Sequence, residues 1–196
     1  MSAFADNPPL PRSFYCRETI EVAQSLLGKV LVRRTDQGIV AGRIVETEAY
    51  KQNDPACHAS KGMTKRNQAM FGEPGHAYVY FTYGMHFCFN VVTAPQGVGE
   101  AVLIRAVEPL EGIDLMARYR RTNKLTNIAS GPGKVCQAFG LGREHNGLDL
   151  TDGILTIVDD GYVVDRIVTS TRIGIRLAAD LPWRFYIADN PHVSRR

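Results

Sequence analysis

Ala77-Tyr78-Val79-Tyr80-Phe81-Thr82-Tyr83-Gly84-Met85-His86-Phe87-Cys88-Phe89-Asn90-Val91-Val92-Thr93 is the stretch on which the fold turns. It lies inside residues 74–99, which contain no Asp, Glu, Lys or Arg. Pro74, Gly75, Gly84, Asn90, Pro95 and Gly99 interrupt that segment, and no run of about 18 apolar residues exists, so a membrane span is excluded. The pattern predicts a buried hairpin, with strands at 77–82 and 86–93 about the turn Tyr83-Gly84-Met85. Six of the chain's 17 aromatic residues fall between 78 and 89. Alternation puts Tyr78 and Tyr80 on one face and Val79 and Phe81 on the other. An exposed aromatic at the tip, Tyr83 beside Met85, suits stacking or insertion between bases, or equally the anchoring of a protein interface.

Outward from the hairpin, residues 101–107 form a further strand whose apolar run suits a central, doubly covered position. Upstream, Pro8, Pro9 and Pro11 mark an extended arm over residues 1–12, and residues 17–27 read as an amphipathic helix stopped by Gly28. Residues 29–34 and 39–49 are two strands around Thr35-Asp36-Gln37-Gly38. Residues 51–76 lack apolar periodicity, and a loop of that length inside a domain is usually functional. Helices follow at 112–120 and 132–139, with weaker strands at 154–158, 172–177 and 185–188. These elements predict one mixed α/β domain over residues 1–196.

The 196 residues, 44% hydrophobic and 22% charged, exclude disordered, collagen-like and coiled-coil chains. A net charge of +3 is too small to name a partner, but 17 of the 23 basic residues are Arg, whose planar fork pairs with phosphate or carboxylate. The positive excess lies in residues 61–134, with nine basic against five acidic side chains. Four widely spaced cysteines, no C-x-x-C pair and no apolar leader predict a reducing, cytoplasmic setting with buried, unpaired thiols.

Glu46-Thr47-Glu48-Ala49-Tyr50 ends a strand, with Glu46, Glu48 and Tyr50 on one face. Two carboxylates at the mouth of a long loop suit acid–base work, or a solvated face paired to an Arg. Arg105 interrupts Ala101-Val102-Leu103-Ile104, where a charge is costly unless paired, so Glu46 or Glu48 is its expected partner. A metal site from Glu46, Glu48 and His58 has no supporting His or Cys spacing. Lys61, Lys65 and Arg66 form one basic cluster, with Thr64 and Asn67 as further donors, and Arg118, Arg120, Arg121 and Lys124 form another. Either is a solvated face or a phosphate track. Ser130-Gly131-Pro132-Gly133-Lys134 reads as a helix start suited to phosphate, or as a plain turn into a helix.

Together these segments resemble the alkyladenine (3-methyladenine) DNA glycosylase family. The resemblance runs through Gly42-Arg43-Ile44-Val45-Glu46-Thr47-Glu48-Ala49-Tyr50, Arg66-Asn67 with Met70-Phe71, Tyr78-Val79-Tyr80, and Tyr83-Gly84-Met85. It continues in Phe87-Cys88 with Asn90, Leu103-Ile104-Arg105-Ala106, Glu108-Pro109-Leu110-Glu111-Gly112, Ser130-Gly131-Pro132 with Lys134, and Arg172-Ile173-Gly174-Ile175. It implies an α+β fold: a single domain with a central, largely antiparallel curved sheet, a protruding hairpin and flanking helices. It implies a monofunctional DNA glycosylase of base-excision repair that flips damaged purines out of duplex DNA. Those purines are 3-methyladenine and 7-methylguanine, with hypoxanthine or ethenoadenine as further candidates. Glu48 would activate the water that attacks C1′, with Arg105 beside it. Tyr50, His58 and Tyr80 would stack the base, Asn90 would exclude normal guanine, and the Ile173 backbone carbonyl would help hold the water. Tyr83 would intercalate, and Thr64, Arg66, Met70, Met85 and Lys134 would contact DNA. No cofactor and no metal are implied, and the partner is double-stranded DNA bound by a monomer, nucleoid-associated in a bacterium. The competing class is a non-catalytic module that binds distorted or damaged DNA. The loop from Tyr50 to His58 is shorter than in mammalian relatives, and His86 replaces a common aromatic.

Overall fold

The computed structural model describes residues 3–4, 6–82 and 84–194. The segment after the prolines pairs briefly with the sheet at Pro9–Val158 and turns into a short helix, α1 (Arg12–Tyr15). Helix α2 (Thr19–Ser25) is shorter than the predicted span. Glu18 caps it by accepting from the Ile20 and Glu21 amides, and a turn then reaches Gly28 at φ +85°.

One antiparallel sheet follows, with strands β1 (Val30–Thr35), β2 (Gly38–Tyr50), β3 (Ala77–Thr82), β4 (His86–Val92) and β5 (Ala101–Glu111). Strands β6 (Leu155–Val158), β7 (Ile167–Ser170) and β8 (Arg184–Ile187) complete it. The order is β3-β4-β5-β2-β1-β6, with β7 and β8 branching off β2. Thirteen-residue β2 forks: its first half pairs with β1, and Glu46, Thr47 and Glu48 pair with β8. β5 holds the other edge of β2 and is buried from Ala101 to Val107, as its apolar run predicts. This is the expected curled α+β sheet.

Gly42 sits where β2 and β5 approach closely. A Cβ there would lie 2.4 Å from Val107 and 2.7 Å from the Glu108 carbonyl oxygen. Helices α3 (Ile113–Arg120) and α4 (Pro132–Ala138) flank the sheet, and Val135, Cys136, Ala138 and Phe139 pack into the main core. The β3–β4 hairpin protrudes, with Phe81 and Met85 exposed near its tip.

Two expectations are overturned. Residues 172–177 are not a strand: Gly174 adopts φ +81°, and the Ile173 amide serves a carboxylate in place of a sheet partner. The strand in this region is the earlier β7. Of the four thiols, Cys57, Cys88 and Cys136 are buried, but Cys16 is exposed.

Candidate active site

A cavity of about 290 Å³ opens over the C-terminal half of β2, walled by β3, β4 and β5, the 51–67 loop and the 173–175 segment. Tyr50, His58, Tyr78, Tyr80, Asn90 and Arg105 face it. Glu48 has no exposed surface and lies directly behind this wall. Its Oε2 accepts from the Tyr50 hydroxyl at 2.8 Å. Its Oε1 accepts from the Ile173 amide at 2.8 Å and lies 3.3 Å from Arg105 Nη1. All three partners are donors, the set that an ionised carboxylate can satisfy.

Arg105 serves both candidate carboxylates: its Nε donates to Glu46 at 3.2 Å while Nη1 faces Glu48. Burial works against its charge, but Glu48 and then Glu46 outweigh it and raise its pKa. The ladder explains how one side chain reaches two residues of β2. Ile44 opposes Val107 and Thr47 opposes Ile104 in one register, yet Glu46 sits opposite Ala106 instead of Arg105. Local irregularities of this kind re-aim side chains next to active sites. Glu46 also accepts from Arg184 Nε at 2.7 Å and twice from Ser194. Two buried carboxylates are thus balanced by two guanidiniums.

The aromatic wall is tied together by its polar ends. His58 Nδ1 and the Tyr78 hydroxyl are 2.9 Å apart, and the His58 ring meets Tyr80 edge-on at 4.5 Å. Desolvation, then the Arg66 charge, lowers the His58 pKa and so favours the neutral ring. Burial also raises the Tyr78 hydroxyl to about 12 and raises Tyr50, with Glu48 adding to the latter. Burial and then the neighbouring Cys88 thiol raise the Tyr80 hydroxyl. Asn90 is buried and donates from Nδ2 to the Tyr78 carbonyl at 3.0 Å, which fixes its amide.

Behind Tyr50, the Arg172 guanidinium covers the ring at 4.7 Å, pairs with Asp54 and donates to the Ala49 carbonyl at 3.0 Å. One residue later comes the Ile173 amide that holds Glu48.

The predicted DNA-contact residues are placed unequally. Met85 is exposed, and Arg66 reaches the Phe81 carbonyl at 3.3 Å beside the hairpin. Thr64 donates from both its amide and its hydroxyl to Asn67, whose Nδ2 in turn holds the His58 and Gly62 carbonyls. Asn67 is therefore a buried loop organiser. Met70 is buried in the cavity wall, and Lys134 is bound to Asn127 at 2.5 Å and Ser130 at 3.3 Å. Tyr83 lies outside the described residues. Among the described residues no group of three or more His, Cys, Asp or Glu is placed to hold a metal ion, and no helix is long and apolar enough to cross a membrane.

A family model described as methylpurine-DNA glycosylase (MPG) matches residues 13–191, a span that includes every residue of the cavity. The chain belongs to the methylpurine-DNA glycosylase family. A Carboxydothermus hydrogenoformans protein named "Putative 3-methyladenine DNA glycosylase" is 52% identical over 189 residues, covering 95% of this chain and 99% of its own. Proteins of the same name from Methanocella arvoryzae and Francisella tularensis are 54% and 49% identical, covering 96% and 91% of this chain and 97% and 95% of their own. As a family member the chain is a DNA glycosylase, a repair hydrolase acting on N-glycosyl bonds, with DNA as substrate.

Sequence reasoning about this methylpurine-DNA glycosylase missed several parts of the site. Tyr78 had a signal, since it shares a face with Tyr80. The Ile173 amide had none, because a backbone donor leaves no mark in residue types. Asp54 and Ser194 sit in polar-looking segments whose partners only the fold reveals, whereas Arg184 stands as a lone charge between Trp183 and Phe185, the same signal as Arg105.

Proposed function

We propose that this glycosylase is monofunctional: as a monomer on duplex DNA it extrudes a damaged purine into the cavity and hydrolyses its N-glycosidic bond with a water activated by Glu48. The observation that carries this reading is the fully buried Glu48 carboxylate, held by Tyr50, Ile173 and Arg105 at the wall of an aromatic cavity. About 290 Å³ lies at the small end of ligand pockets, which suits a single flipped base.

In this reading Tyr50 stacks on one face of the base, and His58 and Tyr80 on the other. A neutral His58 adds no repulsion against a cationic lesion such as 3-methyladenine or 7-methylguanine. Asn90, its amide fixed by the Tyr78 carbonyl, crowds the exocyclic amine of normal guanine. Water attacks C1′ as the C1′–N bond breaks. The bond electrons leave with the base, and the water proton passes to Glu48, whose negative charge stabilises the oxocarbenium-like sugar. The Ile173 carbonyl helps hold that water. Tyr83 fills the vacated stack, and Thr64, Arg66, Met70, Met85 and Lys134 contact the duplex around it. With water as nucleophile, the product is an abasic site in an unbroken strand.

Glu48→Gln tests the assignment. The variant is expected to bind methylated duplex while base release falls by three orders of magnitude or more, read as strand breaks after hot alkali. Breaks without alkali would overturn the monofunctional reading, and wild-type turnover by the folded variant would overturn the role of Glu48.

A further inference from the structure

We propose that Ser194 is a positioning residue for base release, acting through Glu46 and Arg105 on Glu48; this rests on the reading of Glu48 as the general base. Glu46 is fully buried, and a carboxylate offers about four acceptor sites. Its Oε1 accepts from Arg105 Nε, Arg184 Nε and the Ser194 hydroxyl at 2.9 Å, and its Oε2 from the Ser194 amide at 2.7 Å. Half of the hydrogen bonds on this carboxylate therefore come from one residue 148 positions away.

Ser194 also touches the guanidinium itself. Arg105 presents its three nitrogens to three different groups: Nε to Glu46, Nη1 to Glu48 at 3.3 Å and Nη2 to Ser194 Oγ at 3.5 Å. A hydroxyl can donate once and still accept. Ser194 Oγ donates to Glu46 while accepting from Arg105, which closes a ring of Arg105, Ser194 and Glu46. The guanidinium is planar and rigid, so its tilt at one nitrogen sets the other two. Nη1–Glu48 is the contact that faces the chemistry. Loss of the hydroxyl frees the Nη2 side, and the plane can then turn toward Glu46 and away from Glu48. Glu48 must stand within hydrogen-bond reach of the attacking water, and a shift of about 1 Å can cost roughly a hundred-fold in rate.

Ser194→Ala isolates this effect, because the amide that docks the segment on Glu46 remains. Base release from a methylated duplex is measured with the full chain under single-turnover conditions over a range of enzyme concentrations, beside the thermal midpoint. The expected result is a roughly ten-fold lower maximal rate with half-saturation and thermal midpoint unchanged, and recovery of most of that rate in Ser194→Thr. A wild-type rate in Ser194→Ala overturns the proposal. So does a rate loss that follows weaker binding or a lower melting point and is not recovered by Thr. Glu48→Gln run in parallel separates the two failures. An inactive Glu48→Gln beside a normal Ser194→Ala removes the Ser194 role alone, whereas an active Glu48→Gln removes the general-base reading beneath it.

Discussion

Arg172 and Asp54 are both without exposed side-chain surface and joined across 118 residues of sequence. The same guanidinium donates to the Ala49 and Ala178 carbonyls and covers the rings of Tyr50 and Trp183. It therefore fixes the back of the Tyr50 ring and the start of the segment whose next amide holds Glu48. Breaking a buried pair by removing one partner costs about 3–5 kcal/mol, whereas replacing both with packed apolar groups is often near neutral. Asp54→Ala and Arg172→Met should each lose about that much unfolding free energy in urea, and the double variant should lose distinctly less than their sum; strict additivity would contradict the coupling. Legibility at this scale follows from context. Arg105 stands as a lone charge in an apolar run, so its need for a carboxylate was readable, although that it serves both Glu46 and Glu48 was not. Arg172 and Asp54 each sit among polar and Gly-rich neighbours where a charge raises no question.

The elements carrying the cavity differ in how far sequence foretells them. The β3–β4 hairpin and the β5 strand declare themselves through period-two patterning and burial on both faces. The alternation Arg172-Ile173-Gly174-Ile175 imitates a strand, yet its hydrogen-bonding groups are spent on Glu48 and its Gly174 bends left-handed. Strand β7 went unseen because it is four residues long and half exposed. The 51–67 loop is readable as a loop but not as a rigid one. Its order comes from an internal tie, Asn67 to the His58 carbonyl, and from two tertiary contacts, Asp54 to Arg172 and a close approach at Gly99. A Cβ on Gly99 would lie 2.4 Å from the Ala59 methyl and 2.7 Å from the Phe71 ring, one residue from His58. Overpacking of this kind costs about 1–3 kcal/mol. Gly99→Ala should lower the thermal midpoint and slow base release together as the loop is pushed outward, and Ala59→Gly in the same chain should recover part of both, the Phe71 ring still opposing the new methyl. A Gly99→Ala chain that melts and reacts normally would show that the loop is not seated by this contact.

For the whole molecule, the charge summary is a weaker guide than it looked. Of the nine basic residues in 61–134, Arg105, Arg120 and Lys134 are spent within the fold: on Glu46 and Glu48, on the Ile128 carbonyl and Gln137, and on Asn127 and Ser130. The histidines give a sharper global statement, with His145 and His192 buried and His58 partly exposed. His58, His145 and His192 all have pKa values lowered from 6.5, with burial the first cause in each; Arg66 adds at His58 and Arg33 at His145. Glu144 and Glu108 oppose the shifts at His145 and His192 only in part. For a base with a lowered folded-state pKa, the unfolded chain takes up protons that the folded chain refuses. Their stabilising contribution is then complete above the unfolded pKa of 6.5 and is lost as pH falls below it. Each histidine adds at most about 1.4 kcal/mol per pH unit to that slope. Asp149, Asp159 and Asp160, whose pKa values are lowered from 3.8, lose their contributions at more acid pH, so the two windows separate. Urea midpoints measured from pH 7.5 to 5.5 should therefore fall steadily. The variant His145→Asn with His192→Gln should flatten the decline, His145→Asn keeping an acceptor for the Gly142 amide that His145 Nδ1 now receives at 3.0 Å. An undiminished slope in that variant would place the acid sensitivity elsewhere than in these two buried rings.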